Sequence, residues 1–185
     1  MSDPIFVVES ISDGADGHPY DEILSIGVCK VDLDAGDFES VYHATVGLEP
    51  KYIGKAKLDY AESKGFNVSE LYDGIPIDRM VREFKDIIRG GYVTSYDIRQ
   101  QFNKYLINAP WDVTLEAHIL PSIMTRQPIS YKCKYPEDEP DTIVKAYRKT
   151  FRRQDPANVG KGRGALELAQ MASMLMIGLH ERGRY

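Results

Sequence analysis

Three runs of strand-forming residues are crowded into the first 48 positions, before any helical periodicity begins, and they constrain the fold most. Pro4 to Glu9 (PIFVVE) is a short apolar run closed by Ser, Asp and Gly, the pattern of a buried strand followed by a loop. Glu22 to Val31 (EILSIGVCKV) alternates and is rich in β-branched residues. Val41 to Leu48 (VYHATVGL) alternates again beyond a turn at Asp32 to Asp37 (DLDAGD). Strands this close in sequence join as an antiparallel meander.

Helical spacing then takes over. Apolar residues at 77, 80, 81, 84, 87 and 88 make the stripe of an amphipathic helix, stopped by Gly90 and Gly91. Tyr92 to Thr94 reads as a brief strand. Asp97 to Leu106 reads as a helix with Ser95 or Asp97 as its cap, and Trp111 to Leu115 as a further strand. Residues 121–140 contain four prolines and form a long excursion. Asp141 to Phe151 is a basic helix, and Gln154 to Gly164 a loop. Ala165 to Leu179 carries apolar residues at 165, 168, 169, 172, 175, 176 and 179, a C-terminal helix packed on the sheet. Lys51 to Gly74 reads as irregular, apart from a turn of helix near Ser69 to Tyr72. The order β-β-β-α-β-α-β-α-α predicts an α/β fold in one domain over residues 1–185. Its central sheet is mixed, an antiparallel meander plus parallel strands, with helices on both faces. Ligands of such sheets sit at the C-terminal ends of the parallel strands.

Composition narrows the partners. The net charge of -5 argues against a uniformly basic nucleic-acid binder. The charge is uneven, however: Asp141 to Tyr185 carries nine Lys/Arg against four Asp/Glu. In that stretch Lys145, Arg148, Lys149, Arg152 and Arg153 recur at helical spacing, with Tyr147 and Phe151 between them. Such a face either holds a nucleic-acid backbone and stacks bases, or is a solvated face over buried aromatics. No apolar run reaches the ~18 residues of a transmembrane helix, so no membrane partner is expected. The start of the chain lacks a secretory pattern, and Cys29 and Cys133 make neither a CxxC nor a disulfide framework. A reduced, cytoplasmic setting is the expectation. Met171, Met174 and Met176 in the last helix read as core or as contacts of a homodimer.

The ordered set FVVESISDG, DEILSIGVCKVD, EFKDIIRGGYVTSYDIRQQF and Arg163-Gly164-Ala165-Leu166-Glu167-Leu168-Ala169 resembles the DEDD 3′–5′ exonuclease superfamily, of ribonuclease-H-like fold. The likeness covers most of the chain. It implies phosphodiester hydrolysis with two divalent cations, Mg²⁺ or Mn²⁺, held by four converging carboxylates beside a His or Tyr that helps deprotonate water. Position by position, the first carboxylate falls on Glu9, the second on Ile11, the third on Asp97 and the fourth on Leu168. The general base falls on Arg163, with Gly164 at the alternative Tyr position. A shift of two residues would instead make Glu9 the second carboxylate and Val7 the first.

Only Glu9 and Asp97 therefore remain as catalytic acids, and with Asp13 as a substitute they are the candidate metal ligands. A guanidinium at position 163 cannot act as a base near neutral pH but can hold phosphate. Three functions follow. One is an exonuclease-fold protein with a degenerate site, weak or no hydrolysis, and single-stranded RNA or DNA bound through Arg163 and the 145–153 face, with no metal needed. The second is an active exonuclease with substitute carboxylates and Mg²⁺ or Mn²⁺. The third is a non-enzymatic, self-associating scaffold.

Overall fold

The computed structural model describes residues 3–131, 139–151 and 164–185. Strands β1 (Ile5–Ser12), β2 (Ile23–Asp32) and β3 (Asp37–Thr45) form the expected antiparallel meander. After it come helix α1 (Lys55–Ser63), helix α2 (Ile77–Ile88) and strand β4 (Tyr92–Thr94), which returns parallel to β1. Strand β5 (His118–Ile119) lies parallel to β4, so the sheet order is β3-β2-β1-β4-β5. Helices α3 (Glu139–Phe151) and α4 (Ala165–His180) complete the chain.

The period of two along the strands sorts side chains to two cores. Phe6, Val8, Ile26 and Val28 face α2, whose Met80, Val81, Phe84 and Ile88 are buried against them. Val7, Cys29 and Val31 face the opposite way, onto α3 and α4. The sheet is thus covered on both faces. Met171 and Met176 are buried in the second core and Met174 packs against it, so these methionines are core residues. Cys29 is a free thiol, and burial pushes it up to about 11. Among the described residues, no helix is long and apolar enough to cross a membrane.

Two local readings need correction, and a third, the helix after β4, holds with a wider turn. Residues 55–63, read as irregular, are α1; the helix buries only Ala61, so it carries no apolar stripe to detect. Residues 111–115 are not a strand. The chain turns there through Asp112, which is left-handed at φ 42°, into a 3₁₀ turn at Val113–Leu115. Trp111 and Val113 are buried against α2, with the indole edge-on to Phe84 at 5.5 Å, and this mimics strand alternation. The helix after β4 is a π-helix, Arg99–Leu106, whose wider turn buries Gln101 beside Phe102, Tyr105 and Leu106.

Candidate functional site

Glu9 lies near the C-terminal end of β1, and Asp97 follows β4, the parallel neighbour. Glu9 pairs across the ladder with Gly27. Position 27 tolerates no side chain, because a Cβ there would stand 2.5 Å from the backbone of Leu166. This close approach seats the first turn of α4 beside Glu9 and brings Leu168 to the same place.

The Glu9 carboxyl is fully buried. Its Oε1 accepts the Tyr96 N–H at 2.6 Å, and its Oε2 has no hydrogen-bond partner among the described residues. Burial pushes this carboxyl up to about 8; the Tyr96 N–H opposes the rise and the nearby charge of Asp97 adds to it. Burial thus favours the neutral form of Glu9. Asp97 is also buried, and its carboxylate is clamped by its neighbour. Arg99 donates from its backbone N–H and Nε to Oδ1, both at 3.0 Å, and from Nη2 to Oδ2 at 2.8 Å. The carbonyl of Asp97 accepts the N–H groups of Gln100 and Gln101, which starts the π-helix.

A narrow cleft of about 50 Å³ opens over Glu9. Its floor includes Ile11, Ile143 and Leu168. One wall is the loop after β1 (Ser12, Gly14, Ala15); the others are Tyr60 and Lys64 at the end of α1, and Gln101, Lys104 and Tyr105 of the π-helix. Gln101 Oε1 accepts the Ser10 N–H at 3.0 Å, and Tyr105 Oη donates to the Gly14 carbonyl at 2.9 Å. Lys64 Nζ lies 5.1 Å from the centre of the Tyr60 ring.

The sequence candidates are scattered by comparison. Glu9, Ile11 and Leu168 meet at the cleft, with Asp97 alongside Glu9. Asp13 does not join them: it faces Lys57, whose Nζ is 3.2 Å from both its oxygens. Lys145, Arg148 and Lys149 are exposed on α3. The aromatics between them cannot stack bases, because Tyr147 is buried and Phe151 packs on it in the core at 5.0 Å. Arg152, Arg153 and Arg163 lie outside the described residues. Lys64, Arg99, Gln101, Lys104 and Tyr105 escaped the sequence reading; of these, Arg99 alone had a local signal, two residues beyond Asp97.

These donors do not fit a pair of divalent cations. Of the four positions the resemblance implies, two are aliphatic, burial favours the neutral form of Glu9, and both oxygens of Asp97 are taken by a guanidinium. Among the described residues, no three His, Cys, Asp or Glu converge as metal ligands.

No protein-family model matches the chain, and no curated protein matches it in sequence. Solved structures do resemble it. A 3′-exonuclease recognising the 3′ end of a histone mRNA stem-loop superposes with TM-score 0.67 at 11% identity, over 99% of this chain and 84% of that one. The nuclease domain of 3′hExo, a DEDDh family member bound to rAMP, gives 0.64 at 12% identity, over 99% and 94%. The zinc-bound E. coli ExoI–ssDNA complex gives 0.57 at 9% identity, over 100% of this chain and 42% of that one. The chain has the ribonuclease-H-like fold of the 3′–5′ exonucleases.

Proposed function

We propose that this protein uses the exonuclease fold to bind single-stranded nucleic acid in the cleft over Glu9 without hydrolysing it. One observation carries the reading. Glu9 is the single carboxylate among the described residues lining the cleft, and it is fully buried there, with Ile11 and Leu168 lining the same cleft. A cleft walled by four ionised carboxylates repels phosphate until cations enter. A cleft with one buried carboxyl and two lysines at its walls does not.

Lys64 and Lys104 take the phosphates, Lys64 presenting its charge together with the Tyr60 ring. The Ser10–Gln101 pair and Tyr105 supply hydrogen-bonding edges deeper in. The fold neighbours support this class of partner: one is described on an mRNA stem-loop, another on single-stranded DNA. The exposed α3 residues Lys145, Arg148 and Lys149 extend the basic surface in this reading.

The test incubates 5′-labelled single-stranded RNA and DNA oligomers with the protein in Mn²⁺, Mg²⁺ or EDTA, beside an Asp97→Ala control. Binding in a mobility shift with intact oligomers in every condition is the expected result. Stepwise shortening that needs both metal and Asp97 overturns it and favours the second reading, an active exonuclease. That reading rests on the nearness of Glu9 and Asp97, and it requires Glu9 to ionise and Arg99 to leave Asp97.

A further inference from the structure

The loop after β1 forms a wall of the cleft, and it is tied on two sides. From the π-helix, Lys104 Nζ donates to the Ala15 carbonyl at 2.6 Å, and its own carbonyl accepts the His18 N–H at 3.0 Å. From α1 comes Lys57, which is not part of the cleft lining. Its Nζ sits among four oxygens of the loop: Asp13 Oδ1 and Oδ2 and Asp21 Oδ1, each at 3.2 Å, and the Tyr20 carbonyl at 2.6 Å.

Both aspartates are buried, and each also orders loop backbone. Asp21 Oδ2 accepts the N–H groups of Asp16 and Gly17 at 2.6 and 3.1 Å, and Asp13 Oδ1 accepts that of Glu22 at 2.8 Å. The Asp21 carboxylate lies so close to Gly14 that a Cβ there would stand 2.1 Å from it. Two buried carboxylates in one loop repel each other unless a cation stands between them. The ammonium of Lys57 is that cation, and it is attached to the helix that carries Tyr60 and Lys64.

We propose that Lys57 is a positioning residue for the cleft, a tethered cation that clasps the loop 12–22 to α1 and so sets the distance between two of the cleft's walls. This rests on the nucleic-acid reading for its binding consequence and on the loop geometry for the clasp itself. Its charge is neutralised within the loop, so it makes no phosphate contact. Loss of the clasp weakens binding by loosening the walls, not by removing an electrostatic contact.

The test compares the full chain with Lys57→Gln and Lys57→Arg by amide hydrogen exchange and by single-stranded RNA binding across a salt series. In Lys57→Gln the amides of Asp16, Gly17 and Glu22 exchange faster. The Kd rises by about tenfold, the factor produced by 1.4 kcal/mol of lost preorganisation, with the salt slope unchanged. Lys57→Arg restores both. Unchanged exchange in the loop overturns the proposal. So does faster exchange with unaltered affinity. So does a slope reduced by about 0.7, which marks a lost phosphate contact on a single strand. If Lys57→Gln does not fold, Lys57→Met, which removes the ammonium and keeps the apolar stem, is read in the same way. Failure of the wild-type protein to bind any single strand overturns the nucleic-acid reading, while the exchange data still decide the clasp.

Discussion

Replacing Glu9 by Gln tests the core of the functional reading without touching the surface. The carboxyl is ordinarily near 4.5, and in the folded protein it is pushed up to about 8, first by burial, against the Tyr96 N–H, and with help from Asp97. The folded state therefore holds the Glu9 proton more tightly than the unfolded chain. The stability this contributes is complete below about pH 4.5 and is lost as pH rises toward 8, at up to ~1.4 kcal/mol per pH unit. At pH 7 the wild-type protein has forfeited about 3 kcal/mol by this route. Gln has no proton to lose and still offers an oxygen to Tyr96. The variant thus gains on the wild type steadily from pH 5 to pH 8, and titrating groups that do not interact with Glu9 cancel in the difference. Urea unfolding followed by circular dichroism, with equal slopes in denaturant, reads the two stabilities at each pH. Parallel pH profiles would show that Glu9 is ionised in the folded protein, and the argument for a protonated, metal-averse cleft would collapse.

Other consequences are more local. Gly27→Ala drives a methyl into the backbone of α4 at Leu166, which cannot yield as a side-chain tip could; unfolding should show a loss of about 1–3 kcal/mol, and a neutral result would mean that α4 does not sit so closely on β2. Restoring the missing acids with Ile11→Glu and Leu168→Asp, alongside Arg99→Gln to free Asp97, should give a protein whose melting temperature rises on adding Mn²⁺. No Mn²⁺ response in a folded triple variant would refute the placement of the family positions at 11 and 168.

The parts of the fold legible in the sequence are those that bury a regular stripe. The strand runs at 4–9, 22–31 and 41–48 became β1, β2 and β3 because alternation sends Phe6 and Val8 to one core and Val7 to the other. The stripe from Ile77 to Ile88 became α2 for the same reason at a period of 3.6. Helix α1 was invisible because its apolar contribution is only Ala61 and the half-buried Leu58, too little to make a stripe. Of the candidate site, the positions 9, 11, 97 and 168 could be placed only through the resemblance. Their environment was beyond reach. The donor to Glu9 is a backbone N–H 87 residues away, and the partners of Asp13 lie on α1 and farther along the loop. Backbone groups leave no mark in a sequence. A lysine that neutralises two distant aspartates looks like any other lysine.

One charge pattern recurs at two separate places and leads to a final prediction. The carboxylate of Asp97 holds the guanidinium of Arg99, and those of Asp13 and Asp21 hold the ammonium of Lys57. At each, the acids best suited by burial to attract a divalent ion already hold a cation that is part of the chain. A tethered cation competes at fixed, high effective concentration, so a free dication must displace it as well as bind. A dication present at about 100 times its Kd adds about 2.7 kcal/mol to stability. For a chain of this size, each kcal/mol moves the melting temperature by about 2–4 °C. Occupied sites would therefore separate melting curves recorded in millimolar Mg²⁺ and in EDTA by roughly 5–10 °C. The expected result is superimposable curves at matched ionic strength. A separation of that size, abolished by Asp97→Asn, would mean that Arg99 gives way to metal, and that this cleft belongs with the hydrolytic members of its fold.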